Sequence, residues 1–267
     1  MGLHIIALAK QVMDPETPTS GYRVDRESRQ VVPTAQIPPV INGFDENSLE
    51  AALRIKDAGE EVKVTVLSAG PSFTMDVMKK ALSMGNDDLV LVQDDALTNI
   101  SDSLITATVL AAAIRKIGDF DLILAGRQAS DWDNAQVPLI LAEILDLPCI
   151  PLTRKVEVKD GQVQCEHILE NGYSIISSAL PAVVTVSNEL GEPRYPNIRN
   201  IMAAARKTPT TWTLTDIGLS EGDLAPKLNM VDLFIPEKQS QCEIIEGEDE
   251  ADAGRKLALK LREAKLV

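Results

Sequence analysis

Short apolar runs alternate with longer segments of helical periodicity over the first half of the sequence. The apolar runs, which have the composition of strands buried on both faces, are residues 4–9, 62–67, 89–92 and 122–125. The helical segments are residues 45–57, 72–84, 102–116 and the stretch from Pro138 to just before Pro148. Asp45 is the expected N-cap of the first helix. This order predicts an α/β fold with a doubly wound parallel sheet.

After Pro148 the hydrophobic period changes to two. Residues 155–158 and 162–168 alternate apolar and polar side chains on either side of Asp160-Gly161, which predicts a strand, a type I′ turn and a strand. A second turn at Asn171-Gly172 leads into another alternating run. We therefore expect an antiparallel hairpin insertion at about residues 153–178, followed by a buried strand at residues 182–186.

The remainder of the chain is polar and rich in proline. Residues 187–209 form an unusually long excursion from the predicted sheet, and we expect a loop there. These observations divide the chain into an α/β domain at residues 1–209 and a C-terminal arm at residues 210–267, with a terminal helix near residues 251–264. The apolar side chains of the arm, which we expect to gain burial only against another chain, are Trp212, Leu214, Ile217, Leu219, Leu233, Phe234 and Ile235.

Charge and composition exclude several classes of partner and location. Among 267 residues, 40 are Asp or Glu and 26 are Lys or Arg, so the net charge is −14. This balance repels nucleic acids and anionic membrane surfaces. The longest apolar stretch, residues 104–114, is too short to span a bilayer, and no targeting segment is recognisable, so we expect a cytoplasmic protein. Three cysteines at irregular spacing indicate neither disulfides nor a metal site.

Motifs of self-sufficient enzymes are missing from the sequence. It contains neither the P-loop pattern nor the glycine-rich dinucleotide fingerprint. Of the two histidines, His4 is expected to pack within the first strand and His167 to face solvent on the hairpin. No nucleophile and base pattern is present. We therefore expect no catalytic residue in this chain and no metal.

The loop after the fourth strand is the strongest candidate for a binding site. Carboxyl ends of parallel strands are where open α/β sheets bind ligands, and a helix N-terminus there attracts phosphate. A polar loop with Asp N-caps explains the same composition equally well. The loop, which directly precedes a helix that begins with proline, consists of Gly126, Arg127, Gln128, Ala129, Ser130, Asp131, Trp132, Asp133, Asn134, Ala135, Gln136 and Val137.

Three further loops open on the same edge of the predicted sheet. They are residues 9–14, 42–45 and 68–71, and the last is small enough to let an adenosine lie against the backbone. Each loop is a weak signal by itself, because strand-to-helix turns are commonly rich in Gly, Pro and Asn. Their joint placement favours a mononucleotide site.

Four ordered motifs in these regions resemble a known family. The motifs are Ala9-Lys10-Gln11-Val12, Asn42-Gly43-Phe44-Asp45, Gly126-Arg127-Gln128-Ala129, and residues 180–186 followed by Glu192-Pro193-Arg194-Tyr195 and Asn200-Ile201-Met202. Together they resemble the beta subunit of an electron-transfer flavoprotein, from residue 3 to about residue 215. The resemblance implies a Rossmann-like, adenine-nucleotide-binding fold and an electron carrier rather than an enzyme.

The resemblance also implies cofactors and a partner subunit. Such beta subunits pair with an alpha subunit that holds most of the FAD site. They bind a second nucleotide, which is AMP in most members and a second FAD in an electron-bifurcating, NADH-oxidising branch. Carried over by position, the nucleotide contacts are Leu8, Asn42, Gly43, Phe44, Asp45 and Ala69, together with residues 126–137.

The choice between AMP and FAD depends on the loop after the fourth strand. Residues 135–137 resemble the bifurcating branch. Trp132 and Asn134, however, replace smaller residues beside the expected phosphate position, and Gly43 and Pro138 also depart from the family pattern. Because this bulk leaves less room for a diphosphate and a second flavin, we expect AMP.

The family docks onto flavin dehydrogenases, such as acyl-CoA dehydrogenases, through a recognition loop. Residues 187–209 match that loop, with Ile198 in the position of its apolar anchor. The other expected docking residues are Glu192, Arg194, Tyr195 and Met202. The first 150 residues alone would also suit a free-standing adenine-nucleotide-binding sensor, which would need neither this loop nor the arm.

Overall fold

A single large sheet organises the chain. The computed structural model describes residues 2–32, 37–59, 61–99, 102–236 and 242–267. The strands are β1 (Leu3–Leu8), β2 (Gln11–Met13), β3 (Arg23–Asp25), β4 (Gln30–Val32), β5 (Pro39–Ile41), β6 (Val62–Gly70), β7 (Asp88–Gln93), β8 (Leu122–Gly126), β9 (Cys149–Lys159), β10 (Gln162–Leu169), β11 (Gly172–Ala179), β12 (Ala182–Val186) and β13 (Thr210–Trp212). The helices are α1 (Gly43–Asp57), α2 (Met75–Met84), α3 (Ser103–Ile117), α4 (Val137–Leu145), α5 (Ile198–Arg206) and α6 (Glu250–Glu263).

The strand order of this sheet reverses beside its first strand. The order is β11-β10-β9-β12-β8-β1-β6-β7-β13. The chain moves outward from β1 to β6 and β7, and then crosses back to place β8 on the other side of β1, with all of these strands parallel. The crevice outside the carboxyl ends of β1 and β8 is therefore the topological switch point, where open α/β sheets bind ligands.

Helices cover both faces of the sheet. On one face, α1, α2 and α5 bury Leu49, Met78 and Ala204 against β1, β6 and β12. On the other face, α3 and α4 bury Ile114 and Leu141 against β8 and β7. The central strands are buried on both faces, which explains why they appear in the sequence as continuous apolar runs. The predicted doubly wound α/β fold is confirmed.

The antiparallel insertion is also confirmed. Strands β9 and β10 pair antiparallel, and β10 pairs with β11 in the same way. Asp160 and Gly161 have φ values of 52° and 72°, the left-handed conformations that a type I′ turn requires. Because β9 also pairs in parallel with β12, the insertion extends the central sheet instead of forming a separate one.

Three features of the fold differ from the sequence expectations. Residues 187–209 are not simply a loop, because they contain the helix α5. Residues 10–41 carry two small antiparallel pairs, β2 with β5 and β3 with β4, that no periodicity indicated. Finally, β13 pairs with β7, so the main sheet continues beyond Pro209.

The expectation for the apolar side chains of the arm is wrong in part. Leu214 and Ile217 are buried against α3 and β7 within this chain, and Trp212 and Leu219 pack against the same cluster. The first part of the arm thus completes the α/β domain. Leu233, Phe234 and Ile235 remain partly or largely exposed, and residues 237–241 lie outside the described part of the chain.

No helix in the described part of the chain has both the length and the apolar composition that crossing a membrane requires.

Candidate functional site

A cleft lies at the switch point between β1 and β8. It contains about 780 Å³ of empty space, counted out to its open mouth. Its walls come from the ends of β1, β6 and β8, from the first turns of α3 and α4, and from the loop between β8 and α4. The lining residues are Leu8, Ala9, Lys10, Asp45, Leu67, Ser68, Ala69, Ser103, Thr106, Leu110, Ala125, Gly126, Gln128, Ala129, Trp132, Asn134, Ala135, Gln136, Val137 and Pro138.

The back of the cleft depends on a close approach between α1 and the end of β8. The Asp45 carboxylate accepts hydrogen bonds from the backbone N–H groups of Gly126, at 3.0 Å, and Lys10, at 2.8 Å. A Cβ atom on Gly126 would lie 2.5 Å from Asp45 Oδ1 and 2.6 Å from the carbonyl carbon of Phe44. Only glycine fits here, and the reason is the neighbouring helix.

The expected capping role of Asp45 is wrong. The N-cap of α1 is Asn42, whose carbonyl accepts from the N–H groups of Asp45 and Glu46. Asp45 is instead buried in the first turn, and burial raises its pKa to about 6 despite the hydrogen bonds that it accepts from Lys10 and Gly126. Its carboxylate is held by two backbone donors.

The side chain of Asn42 fastens the cleft loop instead of capping its own helix. Its amide donates to the Gln128 carbonyl at 2.8 Å, and its oxygen accepts from the Ser130 N–H at 3.1 Å. Gln128 in turn donates to Asp133 at 2.7 Å. These bonds attach the loop to the start of α1 at Gln128 and Ser130.

Several of the polar groups that line the cleft are donors. The first turn of α4, which follows Gln136, leaves backbone N–H groups without intrahelical partners and carries the positive end of the helix dipole. Lys10 stands at the mouth, where its Nζ lies 2.6 Å from Asp131 Oδ2. Ser68 and Ser103 add hydroxyl groups. This arrangement suits a phosphate attached to a flat, largely apolar group.

The structure brings most of the predicted contact residues to this cleft. Those that line it are Leu8, Asp45, Ala69, Gly126, Gln128, Ala129, Trp132, Asn134, Ala135, Gln136 and Val137. The predicted residues outside the lining are Asn42, Gly43, Phe44, Arg127, Ser130, Asp131 and Asp133. Several of these hold the lining residues in place. Asn42 binds the loop, Asp131 accepts from Lys10, and Asp133 accepts from Gln128.

Sequence reasoning missed the part of the wall that α3 supplies. Ser103, Thr106 and Leu110 line the cleft, but nothing in the sequence indicated that this helix faces it. Lys10 and Ser68 could have been found, because they lie in loops already predicted to open on this edge.

Across the described ranges, no group of three or more His, Cys, Asp or Glu side chains is arranged to hold a metal ion. His4 packs within β1 as expected, with Nε2 lying 2.9 Å from Thr65 Oγ1. His167 is half-buried, and its Nδ1 lies 2.7 Å from the Pro151 carbonyl, so it is less exposed than expected.

Comparison with known proteins identifies the family. The family model for the electron transfer flavoprotein domain matches residues 31–217, which is well over half of the chain. The chain belongs to the electron transfer flavoprotein family. The predicted resemblance is thereby confirmed, and the match favours this assignment over the free-standing sensor.

Curated relatives identify the subunit type within the electron transfer flavoprotein family. The chain is 39% identical over 211 residues to the electron transfer flavoprotein subunit beta of Megasphaera elsdenii, covering 77% of this chain and 76% of the relative. It is 37% identical over 228 residues to the subunit of the same name from Thermoanaerobacterium thermosaccharolyticum, covering 84% of each. It is also 33% identical over 268 residues to the caffeyl-CoA reductase–Etf complex subunit CarD of Acetobacterium woodii, covering 99% of this chain and 100% of the relative.

The second predicted set of residues lies on a different surface of this electron transfer flavoprotein chain. Tyr195 is 96% exposed and Ile198, the first residue of α5, is 77% exposed. Met202 and Glu192 are exposed as well. Arg194 differs, because its guanidinium turns inward to the Glu50 carboxylate of α1. The apolar members of the set thus face solvent together while Arg194 attaches the segment to the domain.

Proposed function

We propose that the chain is the beta-type subunit of a heterodimeric electron carrier that passes electrons between flavin dehydrogenases and a downstream acceptor. In this proposal an alpha subunit supplies most of the FAD site and the cleft holds a structural AMP. The observation that supports it best is a phosphate-suited cleft at the switch point of a chain that belongs to this family. The flavin supplies the redox chemistry, while this chain binds, positions and docks.

The small residues and the donors that line the cleft support AMP as its ligand. Small residues, Ala9, Ser68 and Ala69, form the wall along the strand ends, which leaves space for an adenosine. The first turn of α4 and the Lys10 ammonium, which also line the cleft, offer donors to a phosphate.

A second candidate is a second FAD in the same cleft, with NADH as electron donor. The observation that favours it is a larger cavity next to the cleft, which shares Trp132 with it. Arg29 and Lys227 line this cavity, and so does the Tyr22 ring. The flavin end of a dinucleotide would extend past Trp132 into this space.

The docking segment, which we define as residues 187–209, is proposed to contact a flavin dehydrogenase of the acyl-CoA dehydrogenase type. Its exposed apolar side chains, Tyr195, Ile198 and Met202, are of the kinds that dominate binding energy at protein interfaces. The segment stands on α2 through the buried Ala204 of α5. The apolar side chains are therefore presented on a supported helix.

The end of the C-terminal arm is proposed to wrap the alpha subunit. No residue of α6 is buried, and Phe234 and Val231 expose most of their surface. Apolar surface of this kind gains burial against a partner chain. We propose that the complex works in the cytoplasm.

The test is to purify the chain with its alpha subunit, release the nucleotides by heat and quantify them. We expect one FAD and one AMP per heterodimer, and a colourless product when this chain is expressed alone. Two FAD per heterodimer, with flavin reduction by NADH, would establish the second candidate. A heterodimer without any adenine nucleotide beyond the shared FAD would contradict both.

A further inference from the structure

One face of α1 attaches the docking segment to the α/β domain. Asn47, Glu50, Arg54 and Asp57 are spaced at three, four and three positions, so their side chains lie on the same side of the helix. Asn47 donates to the Gly191 carbonyl at 2.9 Å, and Arg54 donates to the Leu190 carbonyl at the same distance. The chain leaving β12 is thus held along α1 by side chains instead of by strand pairing.

Glu50 is the centre of this contact. Its carboxylate, in a residue only 4% exposed, accepts from Arg194 Nε at 2.8 Å, Arg194 Nη2 at 3.2 Å and the Arg194 backbone N–H at 3.2 Å. It also accepts from Arg54 Nε at 2.9 Å. Arg194 Nη2 further reaches Asp57 at 2.8 Å. The carboxylates of Glu50 and Asp57 balance the two guanidinium groups.

This cluster determines where the exposed docking side chains stand. Tyr195 follows Arg194 directly, and Ile198, the first residue of α5, lies three residues after Tyr195. Within the segment, apolar burial is limited to Leu190 before Arg194 and Ala204 in the second half of α5. Between these two apolar anchors, the Glu50–Arg194 contact is what fixes the backbone beside Tyr195.

Stability alone does not call for such a cluster. Desolvating a carboxylate and a guanidinium offsets most of their attraction, and apolar packing of similar volume stabilises a fold as well or better. A forked ion pair, however, fixes orientation in a way that apolar packing does not. The arrangement therefore favours a role in setting one conformation of the segment.

We propose that Glu50 is a positioning residue for partner docking, which acts by holding Arg194 and so presenting Tyr195 and Ile198 in the conformation that a flavin dehydrogenase binds. The inference rests on the proposed function, in which residues 187–209 dock. A preordered segment loses less conformational entropy on binding. Loosening it should weaken docking and leave the electron-transfer step within the bound complex unchanged.

The test compares Glu50→Gln and Arg194→Lys with a matched control, Glu46→Gln, in the full chain paired with its alpha subunit. Glu46 lies on the same helix but pairs with Lys80 at the surface. The probe is whichever acyl-CoA dehydrogenase gives the lowest KM with the wild-type heterodimer. We expect Glu50→Gln to raise that KM about tenfold, with kcat within about twofold. Arg194→Lys, which keeps the charge and loses the fork, should raise the KM less, and the control should leave it unchanged.

Amide hydrogen exchange supplies a readout that does not depend on the partner. In Glu50→Gln, the hydrogen-bonded amides of Leu190, Gly191 and Arg194 should exchange at least tenfold faster, while those of β6 keep wild-type protection. If Glu50→Gln does not fold, Arg194→Lys carries the same test, since Arg194 is partly exposed.

Two results overturn the inference in distinguishable ways. If Ile198→Ala raises the KM but neither Glu50→Gln nor Arg194→Lys does, docking is correct and the positioning role is wrong. If Ile198→Ala leaves the KM unchanged with every acyl-CoA dehydrogenase, the docking segment itself is wrong, and the inference falls with it.

Discussion

The carboxylate of Asp45 accepts a 3.0 Å hydrogen bond from the backbone N–H of Gly126, 81 positions later in the chain. This bond joins the first turn of α1 to the end of β8 and closes the back of the cleft. It also leaves no room for a side chain at residue 126. One contact thus sets both the packing of α1 and the depth of the candidate nucleotide site.

Replacing Gly126 by alanine should strongly destabilise the chain. The added methyl group would overlap Asp45 and the Phe44 backbone, so we expect a loss of about 3 kcal/mol or more in the free energy of unfolding. Urea denaturation measures it. Gly43→Ala is the control, because no atom lies within 4 Å of the position of its Cβ, and it should be neutral or stabilising by up to about 1 kcal/mol. Equal losses in both variants would contradict the packing argument.

The raised pKa of Asp45 predicts a specific pH dependence of stability. Burial raises this pKa to about 6 from 3.8, so between these values the native state binds a proton that the unfolded state does not. Asp45 therefore lowers stability above about pH 6, and the penalty disappears as the pH falls towards 4.

The measurement is the difference in unfolding free energy between wild type and Asp45→Asn. Between pH 7 and pH 4 it should shift in favour of the wild type by about 2.5 kcal/mol, because most of the effect of the pKa shift is expressed between these two pH values. Titrating groups that are common to both proteins cancel in this difference. A difference that stays constant with pH would show that the pKa of Asp45 is not raised.

Truncating Ile198 to alanine should weaken docking without affecting the fold. A side chain that is 77% exposed contributes little to the core, whereas an anchor at an interface contributes about 1 to 3 kcal/mol. The apparent KM for the dehydrogenase should rise accordingly, with an unchanged melting temperature. Ile175→Ala, at a similarly exposed position on β11, is the matched control and should leave the KM at its wild-type value.

Replacing Gln136 and replacing Asp133 should affect the stabilisation by AMP to different extents. Gln136 lines the cleft, whereas the Asp133 carboxylate points to Gln128. A ligand that binds only the folded state raises the melting temperature, so Gln136→Ala should reduce the increase caused by added AMP more than Asp133→Ala does. Differential scanning fluorimetry across AMP concentrations measures both variants. Neither variant should shift the flavin spectrum if AMP is structural, and a shifted spectrum would indicate a redox nucleotide in this cleft.

Local sequence patterns predicted the fold where burial is uniform. The strands β8 and β12 are buried along their whole length, so they appear in the sequence as unbroken apolar runs. The helix α5 was missed because the nearby prolines suggested a loop, although Ile198, Ile201 and Met202 have helical spacing. The available signal was Asn197, whose side chain accepts from the Asn200 N–H as an N-cap.

The candidate site could also be predicted from the sequence only in part. Glycine and polar residues after β8 indicated a binding loop, because their types match what the carboxyl edge of a sheet requires. The role of Asp45 could not be predicted, since it depends on contacts with Lys10 and Gly126 that no local spacing encodes. Capping preference alone assigned it to the wrong position, three residues after the true N-cap.

The short strand β13 has a consequence for how the chain avoids self-association. Without β13, the backbone N–H and C=O groups of Val90, Leu91 and Val92 would have no strand partner on that side of β7. Such an open edge is a template for pairing with another molecule. The three residues of β13 pair with this edge of β7. Because β13 is so short, it is itself a poor template for pairing. A fragment ending at Pro209 would lose that cover, so shortened forms of this chain should precipitate through the exposed margin of β7 even though the cleft residues are all retained.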